Sequence, residues 1–324
     1  MMSDIKVGVV GVGRMGEYHV GVLSESAGAQ LSAISDVNEK RAGEIAAAYR
    51  VPYFSDYKEL FKLVDAVVLA VPTNLHYPIA KDFLSEGIHV LLEKPCANNL
   101  DHAREIFDIA EKKNLVLHIG HVERFNGAVQ ELHKIVTDPI FIDVRRMSPY
   151  TDRIKDDGVV LDLMIHDIDI VLNLVNSDVR RVNVLGASVF SDRDDLVIAQ
   201  LEFENDCIAN ILASRASQNK ERTLSATLRD SHVQLDYTDQ EIYVHRKSSS
   251  EHQLSKGSLR YKQESLVERI FVHKENPLKL EHRHFIDCIR NGSPRNVAVD
   301  NELYSLEIAL EILRQYRENK NISK

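Results

Sequence analysis

The sequence predicts an α/β domain with a doubly wound parallel sheet, followed by a second domain with a mostly antiparallel sheet. Three observations carry this. An apolar run over residues 5–10 ends in Gly11, Gly13 and Gly16, spaced GxGxxG, with an amphipathic stretch directly after it. Strand-like and helix-like runs then alternate as far as Gly120, the pattern of parallel βαβ units with short connections. Beyond Val122 the pattern changes to many strand-like runs with few helices between them, which implies antiparallel pairing.

The elements follow in order. Residues 5–10 read as a buried strand. The glycines then have separate tasks: a tight turn, close approach of backbone to a pyrophosphate, and packing of helix on strand. The following helix offers unpaired N–H groups and a positive dipole end to that phosphate. A second strand, 30–35, delivers Asp36 twenty residues beyond Gly16, where a carboxylate meets the adenosine ribose. A solvated Asp beside an ordinary glycine turn is the plainer alternative. Helices are expected at 39–49, 76–86 and 101–113, and strands at 65–71, 89–92 and 115–120. Gly87 suits a helix C-cap. The second half reads as a helix at 127–136, a strand at 140–146 and a helix at 162–174. Strands follow at 182–189, 196–203, 207–214, 224–228, 232–237, 241–245 and 266–273. Residues 247–263 form a polar excursion. Helices at 280–290 and 302–318 close the chain, separated by the turn signal NGSP. The division expected is residues 1–121 and 122–324, with the C-terminal helices able to return to the first domain.

Composition narrows the function. A chain of 324 residues favours two domains over one. The net charge of −9, without a basic run, argues against nucleic acid or an anionic membrane as partner. No apolar stretch approaches a membrane span, and the N-terminus lacks the regions of a signal peptide. Three scattered cysteines without CxxC spacing read as reduced thiols in a cytoplasmic protein.

In an open α/β sheet, ligands bind beyond the carboxyl ends of the strands, and three stretches fall there. AVPTNLHY offers Pro72, Thr73, Asn74 and His76. LLEKPCANN offers Glu93, Lys94 and Pro95. HIGHVERFN offers His121, Arg124, Phe125 and Asn126. Pro95 biases Lys94 towards extended backbone, which aims the ammonium at the cleft; a lysine capping a sheet edge is the alternative. Downstream, Asp162 and His166 lie four apart in GVVLDLMIHDIDIVLNLV, on one face of a helix, with Asp169 as a further neighbour. A carboxylate beside a histidine fixes its tautomer and raises its basicity; a satisfied core histidine is the alternative. His166, Asp167 and Asp169 lack a complete metal-ligand set. His118 and His121 read as strand-end histidines near a cofactor, so no metal is expected.

Together GVGRMG, AVPTNLHY, EKP and DLMIHDID, with the tail PLKLEHRHFIDCIRNGSP, resemble the Gfo/Idh/MocA family of nicotinamide-dependent sugar and polyol oxidoreductases. The resemblance implies a Rossmann domain followed by an open α+β domain, and assembly as a homodimer or homotetramer. It makes Lys94, Asp162 and His166 catalytic, with His166 the base, Asp162 orienting it and Lys94 stabilising charge on the substrate oxygen. The dinucleotide site would comprise Gly11, Gly13, Arg14, Met15, Asp36, Arg41, Pro72, Thr73, His76, Glu93 and Lys94. NAD is expected rather than NADP, because Asp36 repels a 2′-phosphate. HVERFN, DLMIHDID and SRASQNKER are similar to the branch that oxidises C3 of UDP-N-acetylglucosamine. Lys94, Arg124, Asn126, Asp162, His166 and Arg215 would then meet the nucleotide-sugar, with Lys220 and Arg222 weaker candidates for its diphosphate. The alternatives are a dehydrogenase for a free sugar, inositol or other polyol, and an NAD-binding sensor without turnover.

Overall fold

The computed structural model describes residues 4–151, 157–247, 254–255, 258–259 and 265–322. The chain divides into two compact units, neither continuous in sequence. The first comprises residues 1–125, 152–169 and 275–313, the second residues 126–151, 170–274 and 314–324.

In chain order the first elements are β1 (Ile5–Val10), α1 (Arg14–Ser24), β2 (Ala29–Ser35), α2 (Glu39–Tyr49), β3 (Tyr53–Phe54), β4 (Ala66–Leu69), α3 (Thr73–Ser85), β5 (His89–Glu93), α4 (Leu100–Lys112) and β6 (Leu117–Gly120). The six strands form one parallel sheet in the order β3-β2-β1-β4-β5-β6. This is the doubly wound order, and its switch point lies between β1 and β4. The central strands are buried along both faces, which is why Val7, Val9, Val67, Val68, Leu91 and Leu92 read as continuous apolar runs. Helix starts carry the polar caps expected of them: Asn38 accepts from the Arg41 N–H, and Asn99 from the His102 N–H.

The remaining elements are α5 (Gly127–Ile135), β7 (Phe141–Met147), α6 (Ile165–Val175), β8 (Val179–Ala187), β9 (Leu196–Phe203), β10 (Ile208–Ser214), β11 (Glu221–Thr227), β12 (Ser231–Asp236), β13 (Glu241–Lys247), β14 (Leu254–Ser255), β15 (Ser258–Leu259), β16 (Ser265–Ile270), α7 (Pro277–Asn291) and α8 (Val299–Ile322). In the second unit eight strands pair in the order β16-β13-β12-β11-β7-β10-β9-β8. All neighbours are antiparallel except β7 and β10, which run parallel. Alternation marks the buried face: Val197, Ala199, Leu201 and Phe203 on β9 face inward, as do Ala209, Ile211 and Ala213 on β10. Most of the excursion expected over 247–263 lies outside the described residues. Within it β14 and β15 form a short antiparallel pair.

Helix α7 belongs to the first unit. Its Phe285, fully buried, and Ile286 join the core made by Val7, Val9, Val20, Leu23 and Ile34. The helix starts with Asn276, whose side chain accepts from the Leu278 and Lys279 N–H groups, and Pro277, and ends at Gly292 with φ +63°. Among the described residues no helix is long and apolar enough to cross a membrane. Cys96, Cys207 and Cys288 are buried and unbridged.

Phe285→Ala is expected to destabilise the first unit by about 3–5 kcal/mol, the cost of an aromatic cavity in a closed core. Denaturant unfolding followed by circular dichroism measures it; a loss below about 1 kcal/mol would show that α7 contributes little to that core.

Candidate active site

The three glycines of the turn differ in what surrounds them. Gly11 has φ +83°, and a Cβ there would lie 2.5 Å from the Ala70 carbonyl oxygen. A Cβ on Gly16 would lie 1.8 Å from the Gly11 carbonyl oxygen, so helix α1 rests directly on the turn. Gly13 differs: it precedes α1 without a side-chain cap, and a Cβ there would meet nothing within 4 Å. That open space before an uncapped helix start fits a pyrophosphate. Asp36, at the end of β2, accepts the Val12 N–H at 2.7 Å through one carboxylate oxygen and the Asn38 N–H at 2.8 Å through the other. Each oxygen keeps a second lone pair for a ribose hydroxyl. Arg41 donates to the Val12 carbonyl at 3.1 Å and to Glu17 at 2.5 Å. Arg14 is exposed and donates to the Tyr18 hydroxyl at 3.3 Å.

Beyond the switch point opens a cleft of about 520 Å³. Met15, Pro72, Thr73, His76, Glu93, Lys94, Asp162 and His166 all line it. The loop after β4 is tied to the loop after β5 through His76, whose ring nitrogens lie 2.7 Å from the Pro95 carbonyl and 2.8 Å from that of Val71. Burial lowers its pKa against the pull of both carbonyls. Thr73 donates its hydroxyl to Asp157 at 2.6 Å.

Lys94 follows β5 directly, across a cis peptide to Pro95. Its ammonium donates to the Asp162 carboxylate at 3.0 Å and to the Asp162 carbonyl at 2.6 Å. Sequence spacing paired Asp162 with His166; the bond found for the Asp162 carboxylate is to Lys94. Asp162 sits in a π-helical turn, Val160–Met164, that opens into α6. Such turns leave the regular helix ladder and recur at functional sites. His166 follows at the start of α6, its ring edge-on to His121 at 5.9 Å between centroids.

Glu93, beside Lys94, heads a buried chain. It accepts from His19 Nε2 at 2.8 Å, and His19 Nδ1 lies 2.7 Å from His282 Nε2. Burial pushes the Glu93 carboxyl up, but the His19 bond and the charges of His19 and Lys94 outweigh it, and the pKa is lowered. Burial, then His19, drives the His282 pKa well below its ordinary value. Next to it, both Glu281 carboxyl oxygens are buried with no hydrogen-bond partner among the described residues. Burial, joined by repulsion from Glu93 and Glu302, raises the Glu281 pKa well above 4.5 despite Arg124. Burial without a hydrogen-bond partner thus favours its protonated form. Sequence reasoning missed this chain; the only local signal was the charged and histidine-rich tail LEHRHF in an otherwise apolar helix pattern.

Three residues expected at the substrate are engaged elsewhere. Arg124 donates twice to Asp169, at 2.5 and 2.7 Å, and twice to Glu302, at 2.5 and 2.9 Å. Burial pushes the Asp169 carboxyl up, but Arg124 outweighs it and brings the pKa down to about 2. In the second unit, Asn126 caps α5 through the Ala128 N–H at 3.0 Å and donates to the Tyr237 carbonyl at 3.1 Å. Arg215, also there, is buried against Asp195 at 2.6 Å.

A doubly wound sheet, an uncapped helix start behind a glycine turn, and a cleft holding lysine, carboxylate and histidine define a dinucleotide-dependent oxidoreductase. Comparison with known proteins gives the family. Residues 5–121 match the model of an oxidoreductase family with an NAD-binding Rossmann fold, and residues 121–239 match the GFO/IDH/MocA C-terminal domain. The chain belongs to the Gfo/Idh/MocA oxidoreductase family. It is 30% identical over 249 residues to UDP-N-acetylglucosamine 3-dehydrogenase of Acidithiobacillus ferrooxidans, covering 76% of this chain and 79% of the relative. A solved structure of an enzyme of that name from the same organism superposes with a TM-score of 0.88 at 27% identity, over 97% of this chain and 98% of that one. The chain is also 23% identical over 342 residues to the NAD-linked scyllo-inositol 2-dehydrogenase of Bacillus subtilis, over 98% of this chain and 95% of the relative.

Two glycine variants separate folding from binding. Gly16→Ala forces a backbone clash and is expected to lose both the fold's thermal stability and NAD affinity. Gly13→Ala should cost at most about 1 kcal/mol of stability while weakening NAD binding at least tenfold. Paired thermal melts and NAD titrations decide; NAD binding unchanged in Gly13→Ala would move the pyrophosphate elsewhere.

The buried acid gives a pH signature. The folded Glu281 pKa lies above its unfolded value of about 4.5, so the folded state binds the extra proton and stability falls as pH rises above 4.5. Glu281→Gln removes the titration and is expected to be more stable than wild type at neutral pH, with a flatter profile. The gain grows by up to about 1.4 kcal/mol per pH unit across the window. Denaturant unfolding from pH 4.5 to 8 tests it; parallel profiles for the two proteins would refute a neutral Glu281.

Proposed function

We propose that the protein is a dehydrogenase acting on a sugar hydroxyl, oxidising C3 of a UDP-N-acetylhexosamine to the 3-keto sugar with NAD. The observation that carries this reading is the convergence of Lys94 with Asp162 and His166 in a cleft that Met15, next to the glycine turn, also lines. A bound nicotinamide dinucleotide supplies the hydride acceptor for the carbinol carbon. The chain's residues supply the rest. Asp162 holds the Lys94 ammonium through both its carboxylate and its carbonyl. Lys94 hydrogen-bonds the substrate hydroxyl oxygen and stabilises the negative charge that grows there as the O–H proton leaves. His166 takes that proton. Pro72, Thr73 and His76 shape the wall of the cleft. Asp36 receives the adenosine ribose and repels a 2′-phosphate, while Arg41, engaged by Glu17 and the Val12 carbonyl, offers that phosphate no counter-charge; this favours NAD over NADP. The nucleotide-sugar assignment draws its support from the relative in Acidithiobacillus ferrooxidans.

The inositol dehydrogenase relative favours a second reading, in which the same trio oxidises a cyclic polyol. Incubation with NAD and a panel of UDP-sugars, free sugars and inositols, followed by NADH absorbance and product mass, separates the two. The expected result is a loss of two hydrogens from UDP-N-acetylglucosamine. Turnover confined to inositols would replace the substrate, and NADP binding as tightly as NAD would remove the role given to Asp36. In the same assay His166→Ala is expected to lower turnover by roughly two to four decades with NAD affinity retained; near-normal turnover would take His166 out of the reaction.

A further inference from the structure

The first unit contains a second cluster of chemically capable side chains, none of which lines the cleft. His118 lies on β6; His284 and Cys288 lie on α7. One ligand atom from each comes within 4.8 Å of the others. We propose that these three residues form a binding site for a divalent transition metal, with zinc the ion that suits them best.

The geometry is that of ligands around one centre. His284 Nε2 and Cys288 Sγ are 3.6 Å apart. A tetrahedral zinc, with Zn–S of about 2.3 Å and Zn–N of about 2.0–2.1 Å, holds sulfur and nitrogen roughly 3.5–3.6 Å from each other. The two side chains reach that separation because they stand four residues apart on a helix, one turn above the other. The third ligand comes from a separate element. The His118 and His284 rings face each other with centroids 5.0 Å apart and planes inclined by 34°. His118 is 6% exposed, and its Nδ1 is buried with no hydrogen-bond partner among the described residues. A buried polar atom without a partner is costly, so the ring has a nitrogen that the protein leaves unsatisfied.

Chemistry and access agree. Two imidazoles and a thiolate are a borderline-soft set that selects zinc or cobalt over magnesium or calcium. Binding converts the Cys288 thiol to a metal-bound thiolate and releases its proton to solvent, with no change of oxidation state. Cys288 and His118 are buried, but His284 is half-exposed and provides the way in. The neighbouring cation, Arg295, is drawn towards Glu302 at 3.6 Å and the Leu117 carbonyl at 2.5 Å. A metal here would clamp α7 to β6, tying the returning C-terminal segment to the edge of the parallel sheet.

The test uses the whole protein, stripped with a chelator and titrated with Co²⁺. The expected result is one Co²⁺ per chain, with a thiolate-to-cobalt charge-transfer band and the intense visible bands of tetrahedral coordination. Zn²⁺ should displace the cobalt and raise the midpoint of thermal unfolding. Cys288→Ser should lose the charge-transfer band, whereas Cys96→Ser and Cys207→Ser keep it. Should Cys288→Ser fold poorly, His284→Ala at its half-exposed position is expected to weaken Co²⁺ binding at least tenfold. Absence of the band in the folded wild type, its persistence in Cys288→Ser, or unchanged affinity in His284→Ala would each overturn the site.

Discussion

The guanidinium of Arg124, held between the buried carboxylates of Asp169 and Glu302, is the interaction on which the first unit's composite build depends. Its four donated bonds join the turn after β6, the start of α6 and the start of α8. These come from three separate stretches of chain, and no continuous apolar run links them. Buried charge is tolerated only when it is matched and bonded; removing Arg124 would strand two carboxylates in a low-dielectric interior. The Ser305 hydroxyl adds a bond to Asp169 at 3.1 Å, and His121 lies 3.8 Å from Glu302. The start of α6 is anchored by this network, and His166 stands one turn before Asp169 on that helix.

The chemistry of the cleft rests on that anchoring. Lys94 is fixed by the end of a buried strand, whereas Asp162 and His166 arrive on the segment 152–169. The π-helical turn at Val160–Met164 gives Asp162 both its carbonyl and its carboxylate to present to the Lys94 ammonium. A regular helix commits its carbonyls to N–H groups four residues on; the widened turn alters that pattern at the residue that meets Lys94. Beneath the cleft, Glu93, His19 and His282 extend the polar structure into the core, so that the strand end carrying Lys94 is braced from behind.

Much of the architecture could be read from the chain. The strand over residues 5–10 and helix α2 were expected at their observed bounds, because burial and amphipathic periodicity are local signals. The helix expected at 302–318 runs from Val299 to Ile322, longer at both ends. The pairing of β7 with β10 in parallel was not visible, since alternation tells which face a strand buries and not which neighbour it meets. Of the residues that line the cleft, Lys94, Asp162 and His166 stood out by their place in recognisable motifs. Arg124 stood out for the wrong contact: a charged residue after a strand end looks the same in sequence whether it awaits a ligand or a buried carboxylate.

The sequence by itself determined the glycine turn, the parallel sheet and the residue types gathered at its carboxyl edge, because each depends on neighbours within a few residues or one turn. The tertiary structure decided which carboxylate each cation meets. Arg124 finds Asp169 across 45 residues and Glu302 across 178, and Lys94 finds Asp162 across 68. Such pairings are set by how whole elements dock, and electrostatic attraction in a dry interior depends on distance in space, which separation along the chain does not encode.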